Sequence, residues 1–343
     1  MNSVDIIFIQ LHNASFIRKD IELLSKHHRV QVFHFRHTKG IAVIPDLIRE
    51  FFFLIKHLSK CDIVYVWFAD FHAVLPAVLS RIFRKKCIIV IGGVDASFNP
   101  VLNYGTKTRL AGAISVHLAT SFAHLLLPVT QYTYNSLLKN ISKKLQTKAQ
   151  IIYNCYNSSF ILLPQIERTR SVITVCLTSS VNTLFVKGVD FFAEVAKAMP
   201  QTHFRVVGVS GEAAEWLRQA KPDNLELIGP ISHEKLNEYY CASKVICQFS
   251  RQEAFGVALL EGIASGCYPV GYNCGGTAEI LTEDNGRLIQ ELAITEATVA
   301  VSKALQNSEI EIEMIQEHVL SRFTCQKRED ALNNAIFSLL NKS

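Results

Sequence analysis

Acidic side chains are missing from a long central tract: no Asp or Glu stands between Asp95 and Glu167. The imbalance runs through the chain. Residues 1–165 carry 19 Lys and Arg against 8 Asp and Glu, whereas residues 166–343 carry 16 against 22. A basic half joined to an acidic half implies two domains with different partners. No Cys-x-x-Cys pair occurs, and the nine cysteines are scattered and odd in number. A zinc cluster and a disulfide framework are thereby disfavoured, and a reducing cytosol is expected. No basic stretch opens the chain and Asp5 interrupts its first apolar run, so no signal peptide is expected. The uncharged run Leu110–Val129 carries His117, Thr120, Ser121 and His124 at helical spacing. A soluble amphipathic helix is expected there rather than a membrane span. No strand is followed by Gly-x-Gly-x-x-Gly, which argues against a nicotinamide dehydrogenase.

What is present is apolar. The residues are 49% hydrophobic and 19% charged, which excludes disorder over most of the length. Short apolar runs alternate with helical patterns. Strands are expected at 4–10, 30–36, 63–67, 87–91, 126–129 and 151–153, with helices near 16–27, 46–60, 72–83, 108–124 and 131–139. The grammar then repeats, with strands at 173–177, 204–207, 225–229, 245–248 and 268–271. Helices are expected near 188–198, 211–219, 233–241 and 256–265, and only helices in 293–342. Such alternation makes βαβ units and parallel sheets. The fold class is therefore α/β, with two Rossmann-like doubly wound domains at 1–165 and 166–320. A C-terminal helix in 321–343 is expected to pack back toward the first domain. Ligands of such sheets bind beyond the carboxyl ends of the strands, so the loops there carry the chemistry and are expected to face across a cleft.

The richest of these loops lies in Ser250–Ile280. Glu253 stands at the tip after a strand, and a helix opening near Gly256 carries Glu261. Backbone N–H groups of Ala254, Phe255 and Gly256 make an anion site at that helix start. Gly275-Gly276 supplies a turn after the next strand. Taken alone, Glu253 reads as a helix cap and Glu261 as a surface residue.

Together they carry more. EAFGVALLEGIASG, CYPVG and CGGTAEI closely resemble the signature of family 4 retaining glycosyltransferases with the GT-B fold (glycosyl transferases group 1). VKGVDFFAEVAKAMP, LELIGPISHEKLNEYYCASKVICQFS and IIYNCYNSSF extend the resemblance over most of the C-terminal half. It implies a nucleotide-sugar donor, UDP- or GDP-linked, with neither cofactor nor metal, and no Asp-x-Asp motif is present. It further implies that Glu253 contacts the donor sugar and Glu261 the ribose hydroxyls. Lys187 would neutralise the diphosphate, Gly188 would open the following helix, and Ile231 would pack on the base. Family members place an Arg a few residues before the Lys, yet Thr178–Val186 holds no basic residue. Neutral donors there, Lys187 alone, Arg251 from the neighbouring loop, or a reduced activity are the alternatives.

The first domain is expected to hold a lipid-linked or glycan acceptor. His12, His72 and Gly93 are its candidate binding residues, and Asp95 is a candidate for proton handling. In the helix at 46–60, Leu47, Phe51, Leu54, Ile55 and Leu58 form one face, with Phe53 placed inside a basic face. With the acid-free tract, this points to peripheral association with an anionic membrane at the cytoplasmic face. Nucleic acid would answer to the same charge, but no binding module accompanies it. Two competing readings are a nucleotide-sugar 2-epimerase on the same scaffold and a non-catalytic transferase-like subunit.

Overall fold

The computed structural model describes residues 3–37, 40–282, 284–307 and 309–341. The chain divides into two compact units, one of residues 1–155 and 325–343, the other of residues 156–324.

The first unit runs β1 (Asp5–Gln10), α1 (Ser15–Ser25), β2 (Arg29–His34), α2 (Val43–His57), β3 (Ile63–Trp67), α3 (Phe71–Ile82), β4 (Lys86–Ile91), α4 (Leu110–Phe122), β5 (Leu125–Pro128) and α5 (Gln131–Asn140). Its five strands pair in parallel in the order β2-β1-β3-β4-β5. β3 is buried at every residue and β4 at all but its first. Helices cover both faces of such a sheet, so its central strands read as continuous apolar runs. Right-handed crossovers place α2, α3 and α4 side by side on one face and α1 on the other.

The second unit runs β6 (Thr169–Thr178), α6 (Val181–Val186), α7 (Val189–Ala198), β7 (His203–Val209), α8 (Gly211–Ala220), β8 (Leu225–Ile228), α9 (His233–Cys241), β9 (Ser243–Gln248), α10 (Val257–Ala264), β10 (Tyr268–Tyr272), α11 (Thr277–Ile280), β11 (Arg287–Ile289), α12 (Ile294–Ala304) and α13 (Glu309–Leu320). Its parallel sheet has the order β11-β10-β9-β6-β7-β8. The last helix, α14 (Cys325–Asn341), belongs to the first unit and packs on α1.

One ion pair fixes that return. Arg328 lies buried on α14 and grips buried Asp20 of α1 with two bonds, 2.6 and 2.8 Å. Its remaining amino group donates to the carbonyls of Ile152 and Tyr153. Asp20 also accepts from the Tyr65 hydroxyl and the Trp67 indole, both at 2.8 Å. A buried pair holds only when its remaining valences are met in this way.

Four expectations need correction. The boundary falls at 155/156 rather than 165/166, because Phe160 is already buried against Tyr240 and His233 of the second unit. Residues 151–153 form no strand. Only a bridge at Ala149 and single bonds from Gln150 and Ile152 tie this segment to β5. In α4 the polar stripe is not the outer face: Thr120 is buried and bonds back to Val116, and the His124 ring accepts from the Cys87 amide. Leu110, Ile114, Leu118 and Phe122 face outward instead, beside His117 and Ser121. In α2, Phe53 turns inward onto Phe33 while Phe51 and Ile55 are exposed. Glu50, charged yet on the same helix, is fully buried with neither carboxylate oxygen bonded, and burial pushes its carboxyl well up.

Candidate active site

In the second sheet the chain winds one way from β6 through β7 to β8 and the other way from β9 through β10 to β11. The order reverses between β6 and β9, the place where an open α/β sheet parts its loops and leaves a crevice. Lys187 and Glu253 stand on the two loops that flank it.

Ser180 caps the short α6, and Lys187 closes it. Gly188 follows in the left-handed region at φ 67°, which costs a side-chain-bearing residue steric strain. A Cβ there would lie 2.0 Å from the Phe249 carbonyl, so only glycine lets the two loops press together. The Arg251 amide then donates to the Val186 carbonyl at 2.8 Å. Across this seam the Lys187 ammonium reaches the Glu253 carboxylate at 2.9 Å. The same Glu253 oxygen accepts from the Ser250 hydroxyl at 3.1 Å. Glu253 is nearly buried, and its lysine partner is a third exposed.

The third loop joins through backbone. The Gly276 amide donates to the Glu253 carbonyl at 2.9 Å, and a Cβ on Gly276 would meet the Phe255 Cα at 2.4 Å. The Gly275-Gly276 turn therefore supports the glutamate loop directly. Gly256 takes φ 110° and caps α10. Phe255 is buried with its ring on Phe323. Ala254 lies half-buried between them.

Glu261 sits inside α10, buried, with its Oε1 lacking any hydrogen-bond partner. Burial pushes its carboxyl up to about 8. An unpaired buried acceptor is costly, and a ligand hydroxyl removes that cost. Because the folded value lies above the ordinary 4.5, the protonated form is favoured by the fold. Its stabilising effect is complete below about pH 4.5 and is lost as pH rises through about 8. Glu261→Gln is expected to remove this slope. Urea midpoints between pH 5 and 8 should fall for the parent and stay flatter for the variant.

Arg251 is engaged within its own domain. Its guanidinium is held by Asp190 in two bonds, 2.6 and 2.8 Å, and by the Phe185 carbonyl. This pair fixes the start of α7 behind Lys187. Neither Asp190 nor Ser250 was legible as a support residue, since each acts through a partner distant in sequence. Ile231 is half-buried on the loop after β8, two strands from β6. Gly229 and Pro230 of that loop border a groove of about 890 Å³ with Ser210 and Gly211 after β7.

In the first unit the order reverses between β1 and β3. His12 is exposed after β1, and its ring meets the Phe68 edge at 6.3 Å. Phe68 holds φ 69°, an unusual conformation for a bulky residue that the sequence concealed. Two expected site residues are otherwise engaged. Asp95 is fully buried and accepts from the amides of Ala69, Gly92, Gly93 and Ala96. Burial raises its carboxyl to about 6 against those bonds, and its geometry is that of a loop organiser. His72 is fully buried with Nε2 on the Trp67 carbonyl, and burial lowers it to about 4. Gly93, at φ 117°, serves the Asp95 turn.

Two parallel doubly wound units of this kind define the GT-B glycosyltransferase fold. HepE of Anabaena, solved with UDP and glucose, aligns at TM-score 0.76 and 15% identity over 98% of this chain and 100% of that one. Sucrose-phosphate synthase of Thermosynechococcus elongatus aligns at 0.78 and 15% identity, covering 98% and 99%.

Residues 173–307, within the second unit, match the family model Glycosyl transferases group 1. Among curated proteins, an uncharacterized glycosyltransferase of Haemophilus influenzae is 31% identical over 147 residues, 39% of this chain and 41% of that protein. A phosphatidylinositol N-acetylglucosaminyltransferase component of Arabidopsis thaliana is 25% identical over 146 residues, 40% of this chain and 32% of that protein. The matches thus span well under half of either relative.

Proposed function

We propose that the protein is a retaining glycosyltransferase that moves a sugar from a nucleotide-sugar to a lipid-linked or glycan acceptor at an anionic membrane surface. The observation that carries the donor half is the meeting of Lys187 and Glu253 at the switch point of the second sheet. Lys187 and the N-terminus of α10 offer positive potential to a leaving diphosphate. In this reading Glu253 contacts the sugar and Glu261 a ribose hydroxyl, which the unpaired Glu261 oxygen supports. HepE is described with UDP and with UDP-glucose, which favours a uridine donor for trial. Incubation with UDP-sugar alone tests the class. Slow hydrolysis agrees with a transferase, whereas a released epimer would favour the epimerase.

The acceptor half rests on the surface of the first unit, whose residues include 22 Lys and Arg against 10 Asp and Glu. No helix among the described residues is long and apolar enough to cross a membrane. Yet α2 exposes Ile44, Ile48, Phe51, Phe52 and Ile55 at helical spacing, and α4 exposes Leu110, Ile114, Leu118 and Phe122. Both helices lie on the same face of the sheet. Exposed cations stand at the carboxyl ends of this layer, among them Lys56, Lys60, Arg81 and Arg84. Apolar stripes rimmed by cations suit an interface with anionic lipid. The lipid acceptor implied by the name of the Arabidopsis protein agrees with this reading. Ile48→Asp with Phe52→Asp is expected to weaken binding to phosphatidylglycerol vesicles by at least about tenfold, given about 1.5–3 kcal/mol for each buried side chain. Equal co-sedimentation of parent and variant would remove the membrane part.

A further inference from the structure

The chain leaves the first unit after Cys155 and re-enters it at Cys325. The two residues lie 170 positions apart, and their sulfurs are 3.0 Å apart, a thiol–thiol contact. Cys155 is buried and Cys325 is partly exposed at the first residue of α14. The remaining cysteines of the chain sit elsewhere, most of them buried.

We propose that Cys155 and Cys325 form a reversible redox site, a dithiol that closes to a disulfide where the chain departs from the first unit and returns to it. The sulfurs need to approach by about 1 Å to reach the bond length of about 2.05 Å. Chemistry favours Cys325 as the attacking sulfur. The Cys155 thiol donates to it and holds it below the usual thiol range, with Lys19 and Lys26 adding positive charge nearby. Thiolates rather than thiols react with peroxides and disulfides. With hydrogen peroxide as oxidant, the Cys325 thiolate attacks an O–O oxygen and becomes a sulfenic acid, and the first water leaves once the departing oxygen is protonated. Cys155 then attacks the sulfenic sulfur, the S–S bond forms, and the second water leaves. Two thiols are oxidised and one peroxide is reduced to two waters. The closed ring contains the whole second unit and pins the start of α14, the helix held by Arg328 and Asp20.

The test uses the full chain and hydrogen peroxide. Intact mass under denaturing conditions should fall by about 2 Da, with recovery in dithiothreitol. Peptide mapping should join Cys155 to Cys325 and leave the other thiols open to alkylation. Trypsin cuts within 156–324 should leave the fragments joined on a non-reducing gel and separate them on a reducing one. Cys155→Ser should lose the mass change and accumulate oxygen on Cys325. Unchanged mass with both thiols still alkylated, or a bridge to any other cysteine, would overturn the proposal. None of these readouts depends on sugar transfer.

Discussion

Lys187→Ala is expected to lower kcat for sugar transfer by about 10²- to 10³-fold while leaving the fold intact. The effect should be large because few cations serve the leaving diphosphate. The stretch Thr178–Val186 contains no basic residue, and the nearby Arg251 is held by Asp190. What remains is Lys187 with the backbone at the start of α10. Charge is present on the bound diphosphate and grows as the sugar departs, so removing the ammonium weakens ground-state binding and the transition state together. The stability cost should be moderate. Lys187 is a third exposed but its partner Glu253 is nearly buried and keeps the Ser250 hydroxyl, so a loss of about 1–3 kcal/mol is expected. Glu253→Gln is expected to follow it in activity, since Glu253 loses its charge while keeping its bonds to Ser250 and the lysine. Steady-state rates and a urea melt on each variant separate the two quantities. Parent-like kcat in Lys187→Ala would remove the lysine from the reaction.

Arg328→Met should destabilise the first unit by about 3–5 kcal/mol, the usual cost of stranding one member of a buried ion pair. Asp20 would be left buried with only Tyr65 and Trp67 as donors, and the carbonyls of Ile152 and Tyr153 would lose theirs. Adding Asp20→Asn should recover part of the loss, because an amide oxygen still accepts from Tyr65 and Trp67 without a charge. Urea midpoints for the two singles and the double form the cycle. Simple additivity would show that Asp20 and Arg328 do not act as a pair.

Much of the fold was legible because central strands of a parallel sheet are buried on both faces. Ile63–Trp67 announces itself as an unbroken apolar run and is found at those bounds. Elements too short to carry a period escaped: α6, α11 and the three-residue β11. The face of α2 was misread because apolar residues occupy two sides of it. Leu54 and Leu58 enter the core, Ile48 and Phe52 face outward, and buried Asp46 and Glu50 invert the usual rule. Asp46 is met by the amides of Arg36 and His37, partners that no helical pattern reveals.

The candidate site divides in the same way. Glycines with one permitted conformation are legible in a motif, and Gly188 and Gly256 stand where the loops need them. Resemblance gave Glu253 and Lys187 separate roles toward a donor; that the two meet directly was not legible. The backbone partners of Asp95 and His72 were not legible, because a polar residue after a strand end looks identical whether it faces a ligand or its own backbone. Four amides surround Asp95 and one carbonyl meets His72.

The most direct test is a thermal melt of the parent and of Lys187→Ala with UDP, GDP and their sugar conjugates. One nucleotide series should raise the parent's midpoint; ligand at 100 times its dissociation constant contributes about 2.7 kcal/mol. Most of that shift should vanish in Lys187→Ala, and Glu261→Gln should reduce it. No shift with any nucleotide, or an equal shift in parent and Lys187→Ala, would contradict a nucleotide-sugar site built on Lys187 and Glu253.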